Sequence, residues 1–377
     1  LVSTPYVRPD CRHYNGYKPC GLGELCQDCA HYEPAGVRIL IIKLGAAGDV
    51  IRTTPLLGAL RRRFAPCRIT WLTDPVGYEL LKNTQNIDRL LAWSWENCMI
   101  LQGQAFDLVY NFDKEARALA LADLICAPQK IGFAPGPLGN AYIYNEESLE
   151  SLRLGLCDEL KFRQNQKSAT RIVFDMAGIA YHDEEYEIGL SKQAEAYGEQ
   201  LRRLHGLNDG RPVIGLNTGC GEVFQTKQWT TEGFAGLIEI LLQRGDCHVM
   251  LLGGPREEEF NAALMQRFTS KITDSGCRNS IDQFMGIVNA CDFVVSADTM
   301  AMHIAIGLRK EVVAFFGSTC HQEIDLFGRG EKVVTDFACS PCYRKTCDKE
   351  ITCMMALEST TIAAAINRRL LAMTSRK

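Results

Sequence analysis

Apolar and polar positions change rhythm several times along the chain, and each change predicts an element. Val37 to Ile42 is a short run rich in β-branched residues and reads as a buried strand. After Gly45 and Gly48, the residues Ile51, Leu56, Leu57, Leu60 and Phe64 recur at helical spacing, predicting one helix from about Asp49 to Phe64. Strands over 68–73, 87–92 and 106–111 alternate with helices over 76–82 and 114–126, and repeated β-α units imply a parallel sheet. A loop is expected over 132–145, where Pro135, Pro137 and three glycines break any period, and helix returns over 149–162. The polar stretch 178–211 closes on the turn Asn208-Asp-Gly-Arg-Pro212, which places a domain boundary between 208 and 209. The alternation then restarts, with strands over 212–217, 248–252, 293–296 and 312–316. Helices are expected over 231–244, 257–268, 281–290, 299–306 and 359–373. This is an α/β chain of two Rossmann-like domains, 37–208 and 209–377. They follow an irregular arm, 1–36, that carries Pro5, Pro9, Pro19 and Pro34 and no period.

Length agrees with that division, because 377 residues exceed the roughly 250 to 300 that one hydrophobic core serves. A formal net charge of −4 argues against a chain whose main business is wrapping nucleic acid. No apolar run approaches the ~18 to 20 residues that span a bilayer, and the beginning at Leu1 lacks the pattern of a signal peptide. A cytoplasmic protein is expected, with peripheral contact at the inner face of a membrane left open.

Seventeen cysteines are many, and eight of them fall into two groups. Cys11, Cys20, Cys26 and Cys29 sit in the arm with His13 and His31 nearby; Cys339, Cys342, Cys347 and Cys353 sit in a Cys-rich loop near the end. Many isolated thiols point to a reducing compartment, where clustered cysteines more often bind metal than pair. The arm's four are read as ligands of a structural zinc, iron or iron–sulfur cluster, with disulfides or free thiols as the alternative.

The glycine loop Lys43-Leu-Gly-Ala-Ala-Gly-Asp49 fits neither of the common phosphate-loop patterns. It offers space for a ligand at Gly45 and Gly48 and a carboxylate, Asp49, in the first turn of a helix, where a cap is the plainer reading. Three stretches of the second half supply partners: Leu216-Asn-Thr-Gly-Cys-Gly221 with Thr226-Lys-Gln-Trp229, Leu251-Leu-Gly-Gly-Pro-Arg-Glu257, and Ser296-Ala-Asp-Thr-Met-Ala-Met-His303. Each lies where a strand gives way to a helix, the usual place for ligands in open α/β sheets. Together they describe a nucleotide diphosphate site.

The ordered set K-L-G-A-A-G-D-V-I-R-T-T-P, T-K-Q-W, G-G-P-x-E-E and S-A-D-T-x-x-x-H-I-A resembles the heptosyltransferases of glycosyltransferase family 9 from about Val37 onward. The resemblance implies a GT-B fold with two Rossmann-like domains facing a cleft. It also implies inverting transfer of heptose from ADP-heptose to inner-core lipopolysaccharide without a catalytic metal. By position it makes Asp49 the general base and Lys227 the cation at the donor phosphates. Glu257 becomes a ribose or adenosine contact and Asp298, Thr299 and His303 the donor loop, with Gly48, Thr218, Gly219, Thr226, Gly254, Met300 and Ala301 also on the donor. The arm departs from the family pattern. Cys320 with Cys339, Cys342, Cys347 and Cys353 is similar to the iron-binding cysteine finger of autotransporter heptosyltransferases, which keeps a protein acceptor open. A binding or sensing module on a GT-B shell, its cysteines holding metal, is the reading from a different class.

Overall fold

The computed structural model describes residues 6–22, 25–221 and 223–374; positions 1–5, 23–24, 222 and 375–377 of the expected arm and domains lie outside them. Strands β1 (Val37–Ile42), β2 (Cys67–Thr73), β3 (Arg89–Ala92), β4 (Leu108–Asn111), β5 (Gln129–Pro135) and β6 (Ala141–Ile143) form one sheet in the order β3-β2-β1-β4-β5-β6. The second sheet contains β7 (Val213–Asn217), β8 (His248–Leu252), β9 (Thr273–Asp274), β10 (Phe293–Ala297), β11 (Glu311–Phe316) and β12 (Gly330–Val334), in the order β12-β11-β10-β7-β8-β9. Counted from its own first strand, each sheet therefore runs 3-2-1-4-5-6, the order of dinucleotide-binding folds. All ladders are parallel except β5 with β6. The first strand of each sheet is central and covered on both faces, which is why Ile39 to Ile42 and Val213 to Leu216 are nearly unbroken apolar runs.

Several elements differ from the expectation. The single helix over 49–64 is two, Ala47–Thr53 and Leu56–Phe64. Pro55 has no N–H to offer the Ile51 carbonyl, and Thr54 takes it instead with its amide (3.0 Å) and its hydroxyl (2.6 Å). The loop over 132–145 is a hairpin of β5 and β6, closed by the Gly136 amide donating to the Asn140 carbonyl at 2.7 Å, with Gly139 at φ +77°. Helix Trp95–Gln102 and the edge strands β9 and β12 are too short and too mixed in pattern to announce themselves. The polar stretch 178–211 holds helix Lys192–Leu204, with the Ser191 hydroxyl accepting from the Ala194 amide at 2.9 Å as its cap. This helix lies against Ile281–Ala290 of the second half at backbone contact. A Cβ on Gly198 would sit 2.3 Å from the Gly286 carbonyl oxygen, and one on Gly286 would sit 2.1 Å from that of Ala194.

The halves also share apolar packing. Ile51 and Leu80 of the first are buried in one cluster with Met302, Ala305 and Met285 of the second. Gly48 marks the closest approach beside the site, since a Cβ there would stand 2.5 Å from the His303 ring. That contact fixes the two sets of strand ends face to face.

Candidate active site at the facing strand ends

In a 3-2-1-4-5-6 sheet the chain reverses direction between strands 1 and 4, and the gap beyond their carboxyl ends is the natural ligand site. Here that gap occurs twice. After β1 and β4 come Lys43, Gly45, Asp49 and Asp113; after β7 and β10 come Asn217, Gly219, Asp298 and Thr299. Two cavities fill the space between. One, of about 690 Å3, is lined from both halves by Gly48, Gly219, Lys227, Glu257, Asp298 and His303 among others. Its neighbour, of about 510 Å3, is lined mostly by the first half, with Lys43, Asp113, Lys114 and Phe133, and by Glu323 of the second. Asp49, Arg52, Lys161 and Glu323 line both cavities, so the two meet at this group of two carboxylates and two cations.

On the first-half side, Asp49 is held in the first turn of Ala47–Thr53 and keeps 38% of its side chain open to the cavities. Arg52, one turn on, pairs with it, and Lys43 Nζ stands 3.8 Å away. Burial by itself would raise the Asp49 carboxyl, but Arg52, Lys43 and His303 outweigh it and bring the pKa down to about 2. The carboxylate is therefore ionised throughout the physiological range. Asp113 anchors Lys43 at 3.2 Å and accepts from the Leu44 amide at 3.0 Å, which pins the start of the glycine loop. Arg52 also faces Glu323 at 3.9 Å, and Lys161 reaches the same carboxylate at 3.9 Å while lying 4.1 Å from the Tyr343 ring centre.

The second-half side is built from backbone. Helix Met300–Gly307 starts at the wall of the larger cavity, which Thr299, Met300 and Ala301 line, and the first amides of a helix have no partner within it. Asn217 Nδ2 donates to the Gly219 carbonyl at 2.9 Å and to the Ser296 and Thr299 hydroxyls at 3.1 and 3.2 Å, locking the loops after β7 and β10 together. Lys227 donates to the Asp298 carbonyl at 2.9 Å, and its Nζ lies 3.4 Å from the Asp298 carboxylate. Burial would raise Asp298, yet His303 and Lys227 hold it well below the usual carboxylate range. Burial lowers His303 despite its Asp298 partner, leaving the ring neutral at pH 7. Glu257 accepts from the Gly254 amide at 2.8 Å, and a Cβ on Gly219 would meet its carboxylate carbon at 3.0 Å. A side chain at position 219 would press on that carboxylate.

Of the donor-site residues expected from the sequence, Gly48, Gly219, Gly254, Glu257, Asp298, Thr299, Met300, Ala301 and His303 line the larger cavity with Asp49 and Lys227. Thr218 and Thr226 have their hydroxyls engaged elsewhere, Thr218 with the Leu252 carbonyl and Asn261, Thr226 with the Arg344 carbonyl. Arg52, Lys43, Asp113, Lys161, Asn217, Glu323 and Tyr343 were not anticipated. Asp113 and Asn217 could have been, because each sits at the carboxyl end of a strand flanking a reversal point. Lys43 and Arg52 stand inside the motif around Asp49 but carried no assigned role, and Lys161, Glu323 and Tyr343 arrive from distant parts of the chain.

Cys320 is buried beside Lys161, Glu323 and Tyr343, next to the cleft. Cys353 has Cys339, Cys342 and Cys347 for neighbours, and burial raises its thiol. Among the described residues no three His, Cys, Asp or Glu side chains converge closely enough to hold a metal ion as they stand.

The family model described as glycosyltransferase family 9 (heptosyltransferase) matches residues 99–352. The chain belongs to that family. Lipooligosaccharide heptosyltransferase 2 of Campylobacter jejuni is 26% identical over 170 residues, which cover 43% of this chain and about half (52%) of that relative. Among solved structures, the family 9 glycosyl transferase of Veillonella parvula superposes with a TM-score of 0.71 at 19% identity, covering 89% of this chain and 97% of its own. The ADP-heptose lipopolysaccharide heptosyltransferase II of E. coli gives 0.66 at 16% identity, covering 90% and 100%. This family 9 member thus has the GT-B-like fold of those structures, and among its described residues no helix is long and apolar enough to cross a membrane.

Proposed function

We propose that this protein is an inverting glycosyltransferase that moves a heptose from ADP-heptose to an acidic sugar of the lipopolysaccharide inner core. The observation that carries the reading is the meeting of two cavities beside the ionised carboxylate of Asp49, which sits at the glycine loop with Gly48 on the donor side. The larger cavity takes the donor. Its diphosphate lies against the amides that begin helix Met300–Gly307 and against Lys227, and the adenosine extends toward Glu257. The smaller cavity takes the acceptor. Its lining sets Lys43, Arg52 and Lys161 against the carboxylates of Asp113, Asp49 and Glu323, while Lys114 donates to the Ser151 carbonyl at 2.9 Å and is the cation placed for a carboxylate or phosphate on the acceptor sugar.

In the transfer, the acceptor hydroxyl oxygen bonds to the anomeric carbon as the bond from that carbon to the diphosphate oxygen breaks. The leaving electron pair ends on ADP, stabilised by Lys227 and the helix amides. The hydroxyl proton passes to Asp49. A carboxylate whose pKa is about 2 is a weak base, so it accepts this proton only late, once bonding to the electron-poor carbon has made the attacking oxygen strongly acidic. Arg52 and Lys43 orient Asp49 and keep it ionised. None of these steps calls on a metal ion.

A protein acceptor is the second reading. Lys114 in the smaller cavity, bonded to a carbonyl and not to a carboxylate, favours an acidic sugar over a serine side chain. Thermal unfolding in the presence of a panel of ADP- and UDP-sugars tests the donor, because a ligand that binds the folded state raises its melting temperature. ADP-heptose is expected to protect; protection by a UDP-sugar without protection by ADP-heptose would overturn the assignment.

A further inference from the structure

The arm that precedes β1 is held differently from the rest of the chain. None of its described residues between 6 and 36 is buried, so no apolar core supports it. A segment of this size without a core needs disulfides or a metal to hold one conformation. Its backbone closes into a loop: the Arg12 amide donates to the Glu33 carbonyl at 2.7 Å, that of Ala35 donates to Asp10 at 2.8 Å, and Cys11 bridges to Pro34. Inside the loop is a cavity of about 300 Å3. Cys11, Cys20, Cys26 and Cys29 all line it, with His13 and His31, and all four thiols are free.

We propose that the arm is a thiolate metal site, with Cys11, Cys20, Cys26 and Cys29 as ligands of one thiophilic centre. Four free thiols around a single cavity form the donor set of a structural zinc or of an iron–sulfur cluster. At a tetrahedral zinc, with Zn–S of about 2.3 Å, the sulfurs stand about 3.8 Å apart, so a single ion draws the arm inward from its present spacing. A cluster, being larger, fills more of the cavity.

Its place in the fold assigns the centre a structural role. Arg12 pairs with Asp88 just before β3, Arg68 near the start of β2 donates to the Arg12 carbonyl at 3.2 Å, and Gly36, at φ +67°, turns the chain into β1. A Cβ on Gly36 would lie 1.9 Å from the Pro66 carbonyl oxygen, so only glycine lets the arm lie this close. These contacts are at the amino ends of the strands, the end of the sheet away from Asp49 and both cavities. The centre fastens the arm there and touches no reacting atom.

The test compares the full chain, purified without oxygen, with its Cys26→Ser/Cys29→Ser variant. Zinc, iron and acid-labile sulfide are counted in each, and protection by ADP against thermal unfolding is measured alongside. The wild type is expected to hold one centre more than the variant, with equal protection by ADP. Zinc without sulfide identifies an ion, iron with sulfide a cluster, and either supports the site. Should the variant not fold, alkylation of the native wild type reads the same point: the four thiols resist alkylation until a mercurial displaces the metal. Equal metal in wild type and folded variant, immediate alkylation of all four thiols, or disulfides among them would overturn the proposal. Failure of ADP to protect either protein would instead count against the transferase reading.

Discussion

The two halves share a strand order and use it for opposite electrostatics. In the first half, the loops after β1 and β4 present carboxylates, Asp49 and Asp113, and then surround them with Lys43 and Arg52. The loops after β7 and β10 present amides and one cation, Lys227, while Asp298 is tied down by that lysine and by His303. One side can receive a proton and the other can hold a departing anion. A single topology serves both because the strand ends position backbone, and only the few side chains set on that backbone decide the charge. The comparison also explains the glycines. Gly48 lets the acidic side reach His303 on the other half, and Gly219 keeps space beside Glu257.

The largest break in this division of labour is expected from Asp49→Asn. Loss of the proton acceptor should lower kcat by about a thousandfold, within the range for general bases, with ADP protection against thermal unfolding retained. Lys227→Ala removes the cation at the leaving group and should cost about a hundredfold in kcat with a weaker affinity for ADP, read by steady-state kinetics and calorimetry. Gly48→Val forces a side chain into the space of the His303 ring and should lower kcat and raise KM for both substrates, because it pushes apart the surfaces that place donor against acceptor.

A smaller, one-sided effect is expected at Lys114. Burial first, and then the charges of Lys161 and Lys43, lower its ammonium from 10.5 to about 8. Lys114 is therefore a cation below pH 8 and is progressively neutral above it. KM for an acidic acceptor should rise as pH climbs through 8, the donor KM should stay level, and Lys114→Met should flatten the profile. At the acid end, Asp49 at about 2 remains ionised, so transfer should show no loss from this group between pH 5 and 7.

Much of the lining of the larger cavity was legible in the sequence, because its parts are short contiguous motifs: strand, glycine turn, helix start. The lining of the smaller cavity and of the junction was not. Lys114 and Lys161 come from a loop and a short helix with no motif around them, and Glu323 and Tyr343 reach the cleft from the far end of the chain. Helix Lys192–Leu204 hid in a polar stretch because only a narrow face of it is buried, at Ala194, Gly198 and Leu201. Pro55, by contrast, was visible in the sequence and its consequence, a break between two helices, follows from a missing N–H. Asp49 stood out from the first as a carboxylate at a helix start; what supports the proposed base over a plain cap is the second cavity behind it, made by residues that no local pattern joins.

The most direct test of the central claim is the anomeric configuration of the product, read by NMR after transfer from ADP-heptose of known configuration. The proposed single displacement, with Asp49 taking the proton, predicts inversion at the anomeric carbon. Retention of configuration would contradict the account, since it requires a second displacement or a front-face route in place of the single displacement proposed.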